Sequence, residues 1–96
     1  MTSVRLTDGA EADFLQIVDE LSNVSFDGAH RLVDGIEAAW TQLAEFPALG
    51  HRHQSLPDRL RVLAVDRWLI VYEAGPAPVL VIGVVDASRD LRRLYS

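Results

Sequence analysis

The sequence predicts an α+β domain in the order β-α-α-β-β-β, an antiparallel sheet packed by a helical hairpin, with a short helix at its C-terminal end. Three observations carry this prediction. Residues 60–91 hold three strand-like runs, Leu60–Val65, Trp68–Glu73 and Val79–Val85, rich in the branched and aromatic side chains that suit a pleated, half-buried surface. The first two runs are parted only by Asp66-Arg67, and the next pair by the stretch around Gly75-Pro76-Ala77-Pro78. Connections this short join antiparallel neighbours, because a parallel return needs roughly a dozen residues or more. Upstream, apolar residues recur at three- and four-residue steps, the period of helices with one buried face.

In chain order, Ser3-Val4-Arg5-Leu6-Thr7 alternates polar and apolar side chains, which predicts a short first strand. Asp8-Gly9-Ala10-Glu11 matches a capping box, with Asp8 accepting backbone N–H bonds and Glu11 reaching back. Phe14, Ile17, Val18 and Leu21 then mark an amphipathic helix from about Gly9 to Leu21. Ser22-Asn23-Val24-Ser25 reads as a turn, with Ser25 the N-cap of a second helix. In that helix Ala29, Leu32, Val33, Ile36, Trp40 and Leu43 form one apolar stripe. Pro47 disfavours helical geometry at Phe46, so the helix is expected to stop near Glu45. Residues 47–58 form a loop punctuated by Pro and Gly. Everything before the three strands is expected to cover one face of the sheet. After them, Asp86 to Tyr95 is expected to form the last helix, with Leu91 and Leu94 inward.

Ninety-six residues, 49% of them apolar, make residues 1–96 one domain with a single modest core. No cysteine is present, which excludes a disulfide framework and a thiolate metal site and suits a reducing compartment. The N-terminus lacks a basic region followed by an apolar run, and the apolar stretches fall short of a membrane span, so a soluble, cytoplasmic protein is expected. The formal net charge of −5 argues against broad affinity for nucleic acid. Yet all nine basic residues are arginine, the residue preferred where a planar fork meets phosphate or carboxylate. A GC-rich genome would give the same bias.

Several runs resemble one known family. They are Leu-x-x-Phe-Pro-x-Leu-Gly-His-Arg at 43–52, Leu-Arg at 60–61, Arg-Trp-Leu-Ile-Val-Tyr at 67–72 and Ser-Arg-Asp-Leu at 88–91. In this order and spacing they are similar to the RelE/ParE superfamily of bacterial toxins, over nearly the whole chain. The resemblance implies the toxin half of a type II toxin–antitoxin pair, neutralised by a cognate antitoxin protein. One branch, RelE-like, is a ribosome-dependent mRNA endonuclease; the other, ParE-like, inhibits DNA gyrase and is not a nuclease.

Nuclease chemistry needs a base for the 2′-hydroxyl, cations for the phosphorane charge and an acid for the leaving group. For that branch the resemblance points to Arg61, Arg89 and Tyr95 as catalytic residues. The departures favour the ParE-like branch: no lysine, Asp86 where many relatives carry histidine, and the long hairpin with its Pro-x-x-Gly-x-Arg loop. In that case recognition is expected at the sheet rim and tail, through Arg67, Arg92 and Arg93. Arg61 beside Asp58 or Asp66 is equally readable as a structural ion pair. His51 and His53 alternate as metal ligands do, but lack a third ligand nearby and read as solvated loop residues. Trp40 and Trp68 read as core. No metal or cofactor is expected, and an exposed apolar groove on the hairpin or a sheet edge is the expected antitoxin seat.

Overall fold

The computed structural model describes residues 3–75 and 78–95; Pro76 and Ala77 of the anticipated turn lie outside the described residues. The elements are β1 (Val4–Leu6), α1 (Asp8–Ser22), α2 (Phe26–Glu45), β2 (Leu60–Val65), β3 (Trp68–Glu73), β4 (Val79–Asp86) and α3 (Leu91–Tyr95). One four-stranded sheet runs in the order β1-β4-β3-β2. β2, β3 and β4 form the antiparallel meander that their short connections require. β1 departs from an all-antiparallel sheet: it lies parallel to β4, with Val4 opposite Val79 and Leu6 opposite Val81. Both helices and two strands separate those partners, ample chain for a parallel return.

The helix ends follow their caps. Thr7, not Asp8, is the N-cap of α1: its hydroxyl accepts the Ala10 amide at 3.1 Å. The helix therefore starts one residue early, and Asp8 and Glu11 sit in its first turn, where their charge favours the helix N-terminus. Ser25 caps α2 as the sequence suggests, accepting the Gly28 amide at 3.0 Å. α2 ends at Glu45, and Phe46 has left helical geometry at φ −129°, ψ 80°. Its buried line is Ala29, Leu32, Ile36, Ala39 and Leu43. Trp40 lies half-buried at the edge of that line, where it packs against the core.

The hairpin packs on the sheet face that carries Trp68, Ile70, Tyr72 and Val81. The opposite face is covered as well, which corrects the one-sided picture. There Leu56 from the loop and Leu91 of α3 close over Leu60, Val62 and Val71. A bulge in β4 serves both sides. Val71 faces Gly83 and Tyr72 faces Val81, so Ile82 is the extra residue, and both Val81 and Val84 turn to the helices. Among the described residues, no helix is long and apolar enough to cross a membrane.

Candidate functional site

β1 is only three residues long, and this shapes the C-terminal corner of the fold. Its pairing with β4 ends at the bond from the Thr7 amide to the Val81 carbonyl, 2.9 Å. Past that point the outer edge of β4 meets side chains instead of a strand. Asp13 of α1 reaches down, and its Oδ2 accepts the Val84 amide at 3.2 Å. Tyr95 of α3 closes over Gly83, where a β-carbon would collide with the tyrosine hydroxyl. Between α1, the end of β4 and α3 lies a cleft of about 410 Å³, lined by Asp13, Glu20, Trp68, Asp86, Arg89 and Tyr95, with Arg67 and Leu94 at its margin.

Charges in this corner are partly neutralised. Arg67 donates from Nη2 and Nε to Asp86 Oδ2 at 2.7 and 3.2 Å, and its guanidinium stands 5.0 Å from the Trp68 ring. The other Asp86 oxygen accepts the Ser88 amide at 2.9 Å. The Ser88 bond, then the Arg67 bond, holds the Asp86 carboxyl well below the usual carboxylate range. The tight turn after β4 follows from these contacts, together with the Arg89 amide on the Asp86 carbonyl at 3.0 Å. α3 accordingly begins at Leu91, not Asp86, with Asp90 accepting the Arg92 amide at 3.1 Å. Leu91 is inward as anticipated, but Leu94 is 40% exposed. Tyr95, one turn past Leu91, takes the inward place. Burial raises the Tyr95 hydroxyl pKa, the Asp13 charge raises it further, and Arg89 works against both.

Arg61 belongs to a second assembly. The Tyr72 hydroxyl, fully buried, accepts the Gly50 amide and donates to the Pro47 carbonyl, both at 2.8 Å. Arg61 Nη1 donates to the Gly50 carbonyl at 2.8 Å, in place of an ion pair with Asp58 or Asp66. His51 exchanges two backbone bonds with Val62, at 3.0 and 2.9 Å, so the loop joins the open edge of β2. A β-carbon at Gly50 would lie 2.5 Å from the Val62 carbonyl oxygen, so no larger residue fits. Burial raises the Tyr72 pKa, opposed by the Gly50 bond and the Arg61 charge.

Arg89 and Tyr95 thus line one cleft, and Arg61 is not with them. Arg61 stands opposite Tyr72, on the helix-covered face, whereas Tyr95 packs with the cluster on the other face. Arg67, Arg92 and Arg93 are exposed at the C-terminal corner, Arg67 tied to Asp86. Trp68 is core on one side and cleft wall on the other. His51 is exposed, and His53 Nδ1 accepts the Ser55 amide at 3.1 Å. Large apolar side chains remain in water on the hairpin (Leu15, Val24 and Phe26) and on the loop (Phe46 and Leu49).

Three residues escaped the sequence reading. A glycine inside a strand pattern marks a bulge or a close approach, and Gly83 follows the bulged Ile82 and lies under the Tyr95 ring. A tyrosine in a buried strand needs a partner for its hydroxyl, which was the signal at Tyr72. Asp13 carried no such signal, since acidic residues on a helix are ordinarily solvated.

The family model described as the ParE toxin of type II toxin-antitoxin system, parDE, matches residues 4–91. A solved structure, "Chromosomal ParDE TA system from P. aeruginosa", is similar in fold, with a TM-score of 0.72 at 18% identity over 90% of this chain and 96% of that chain. No curated protein sequence matches.

Proposed function

The chain belongs to the ParE toxin family of type II toxin–antitoxin systems, and from that premise we propose that it inhibits DNA gyrase without cutting nucleic acid and is neutralised by a cognate antitoxin. The supporting observation is the position of Arg61. A nuclease of the alternative type would use Arg61, Arg89 and Tyr95 on one substrate. Here the Arg61 guanidinium is committed to the Gly50 carbonyl, on the opposite face of the sheet from Tyr95. A guanidinium on the other face of the sheet does not converge with Arg89 and Tyr95 on one phosphorane. The remaining pair has a structural reading: the Tyr95 hydroxyl rests on Gly83 and fastens α3.

Two assays test the proposal together. After brief induction without antitoxin, mRNA 5′ ends are mapped; intact messages are expected, with loss of supercoiling activity when purified protein is added to gyrase. Cuts at fixed positions within translated codons would overturn it. That result would establish the ribosome-dependent mRNA endonuclease reading, which the shared cleft of Arg89 and Tyr95 favours. Tyr95→Phe separates the two as well. It is expected to keep growth arrest if gyrase is the target and to lose it if Tyr95 is an acid.

A further inference from the structure

Charge is divided unevenly along the chain. Residues 1–48, which hold both long helices, carry nine carboxylates against two arginines. Residues 49–96 carry seven arginines against five carboxylates. The division survives folding, because the exposed faces of α1 and α2 hold most of the carboxylates. Within the second half, several arginines are already engaged. Arg61 holds the Gly50 carbonyl, Arg59 lies 3.6 Å from Glu73, and Arg67 lies 2.7 Å from Asp86. Among the described residues, Arg89, Arg92 and Arg93 make no ion pair, and all three are exposed. Arg5, Arg31 and Arg52 are also exposed but stand singly. Only at the C-terminal corner do three such forks fall within five positions.

The corner is also firmly supported. Leu91 and Tyr95, one helical turn apart, anchor the inner side of α3, so Arg92 and Arg93 are directed outward. Arg89 sits on the turn fixed by Asp86. Guanidinium forks suit phosphate oxygens, and with the turn and α3 held in place little backbone ordering remains to be done on binding. The net charge of −5 and the acidic hairpin argue against broad affinity for free nucleic acid. A phosphate backbone that another protein already holds in place is the better match for this corner.

Resting on the gyrase reading, we infer that Arg89, Arg92 and Arg93 contact the phosphate backbone of the duplex DNA held by gyrase. The toxin is then a ligand of the gyrase–DNA complex more than of gyrase itself. Arg67, neutralised by Asp86, is not part of this contact.

The test is equilibrium binding of the full chain to gyrase alone and to gyrase holding a duplex fragment, each over a salt series. The wild type is expected to bind the DNA-containing complex more tightly and with a steeper salt dependence. The double variant Arg92→Ala/Arg93→Ala is expected to bind gyrase alone as before. On the DNA complex its log–log salt slope should be shallower by about two, roughly one per lost phosphate contact. Arg92→Lys/Arg93→Lys keeps the charges and should keep the slope, which controls for a disturbed α3. An unchanged slope in the alanine variant would overturn the inference while leaving the gyrase reading intact. An equal loss of binding without DNA would overturn it too, by placing the arginines on gyrase. No binding of the wild type in either condition would overturn the gyrase reading and the inference with it.

Discussion

The Asp13 carboxylate accepts the Val84 amide at 3.2 Å, just past the point where β1 stops pairing with β4. A side chain on a helix thus fills a place that a longer first strand would have occupied. Backbone groups at the edge of a sheet must be paired or hydrated, and an uncovered edge invites another chain. Asp13→Ala is expected to lower stability by about 1–2 kcal/mol, the range for losing a charged acceptor at a partly buried amide. Asp13→Asn keeps an acceptor and should lose less. Urea unfolding measures both, and faster hydrogen exchange at Val84 in the alanine variant locates the effect.

Gly83 is the seat of Tyr95. Gly83→Ala should push the ring off the strand and loosen α3, at a cost of about 1–3 kcal/mol for overpacking. Removing the ring from the crowded site should relieve the clash, so Tyr95→Ala in the Gly83→Ala background should cost less than Tyr95→Ala alone. A double-mutant cycle on thermal stability reads this coupling. Strict additivity would mean that the two residues do not share the site.

The chain has no lysine and no cysteine, so Tyr72 and Tyr95 are the side chains that titrate between about pH 9 and 12. Both hydroxyls have pKa values raised above the ordinary 10.0 by burial. A raised folded value means stability that is whole below the unfolded pKa and is lost as pH rises through the folded one. Stability is therefore expected to hold up to about pH 10 and to fall above it. A tyrosinate absorbance titration should run late in the folded state and return to the ordinary value in urea. Tyr72→Phe should remove part of the alkaline loss. At neutral pH it should also cost about 1–3 kcal/mol, because the buried Gly50 amide and Pro47 carbonyl lose their partner.

Asp86 works at the acid end with the opposite sign. Its folded value lies below the ordinary 3.8, first through the Ser88 amide and then through Arg67. The stability it contributes is present above the unfolded value and lost as pH falls toward the folded one. Asp86→Asn should be less stable than wild type at neutral pH, and the two should converge in strong acid. Urea midpoints measured from pH 7 down to about pH 2 test this. Failure to converge would assign the acid dependence to other carboxylates.

Local chemistry was legible in the sequence wherever neighbours in the chain decide the outcome. The β2–β3 pair follows from a two-residue turn, with Asp66 in the left-handed region at φ 55°, which aspartate tolerates better than most residues. Ser25 and Pro47 likewise fix the two ends of α2. Where the outcome depends on a distant part of the chain, the pattern said less. Nothing within Val4–Leu6 reveals that β1 runs parallel to residues 79–81. Leu94 and Tyr95 are both plausible inward residues of a short helix; the bare backbone of Gly83, which admits a ring, decides between them. Arg61 had two carboxylates nearby in sequence, yet a loop carbonyl eleven residues upstream holds it. The candidate site was therefore named in parts. Its cleft and its separation from Arg61 emerge only when the sheet closes.

That closure carries a consequence for biosynthesis. β1 is made well before its partner residues 79–81, with both long helices and two strands between them. Until they emerge, a nascent chain holds a helical hairpin whose apolar stripe has only part of the sheet to cover it. Contacts between the two ends of a chain form late, since loop closure precedes any reward from them. The sheet is thus complete only once residues 79–81 have been made. A partner already present would meet the exposed hairpin before it meets the complete sheet.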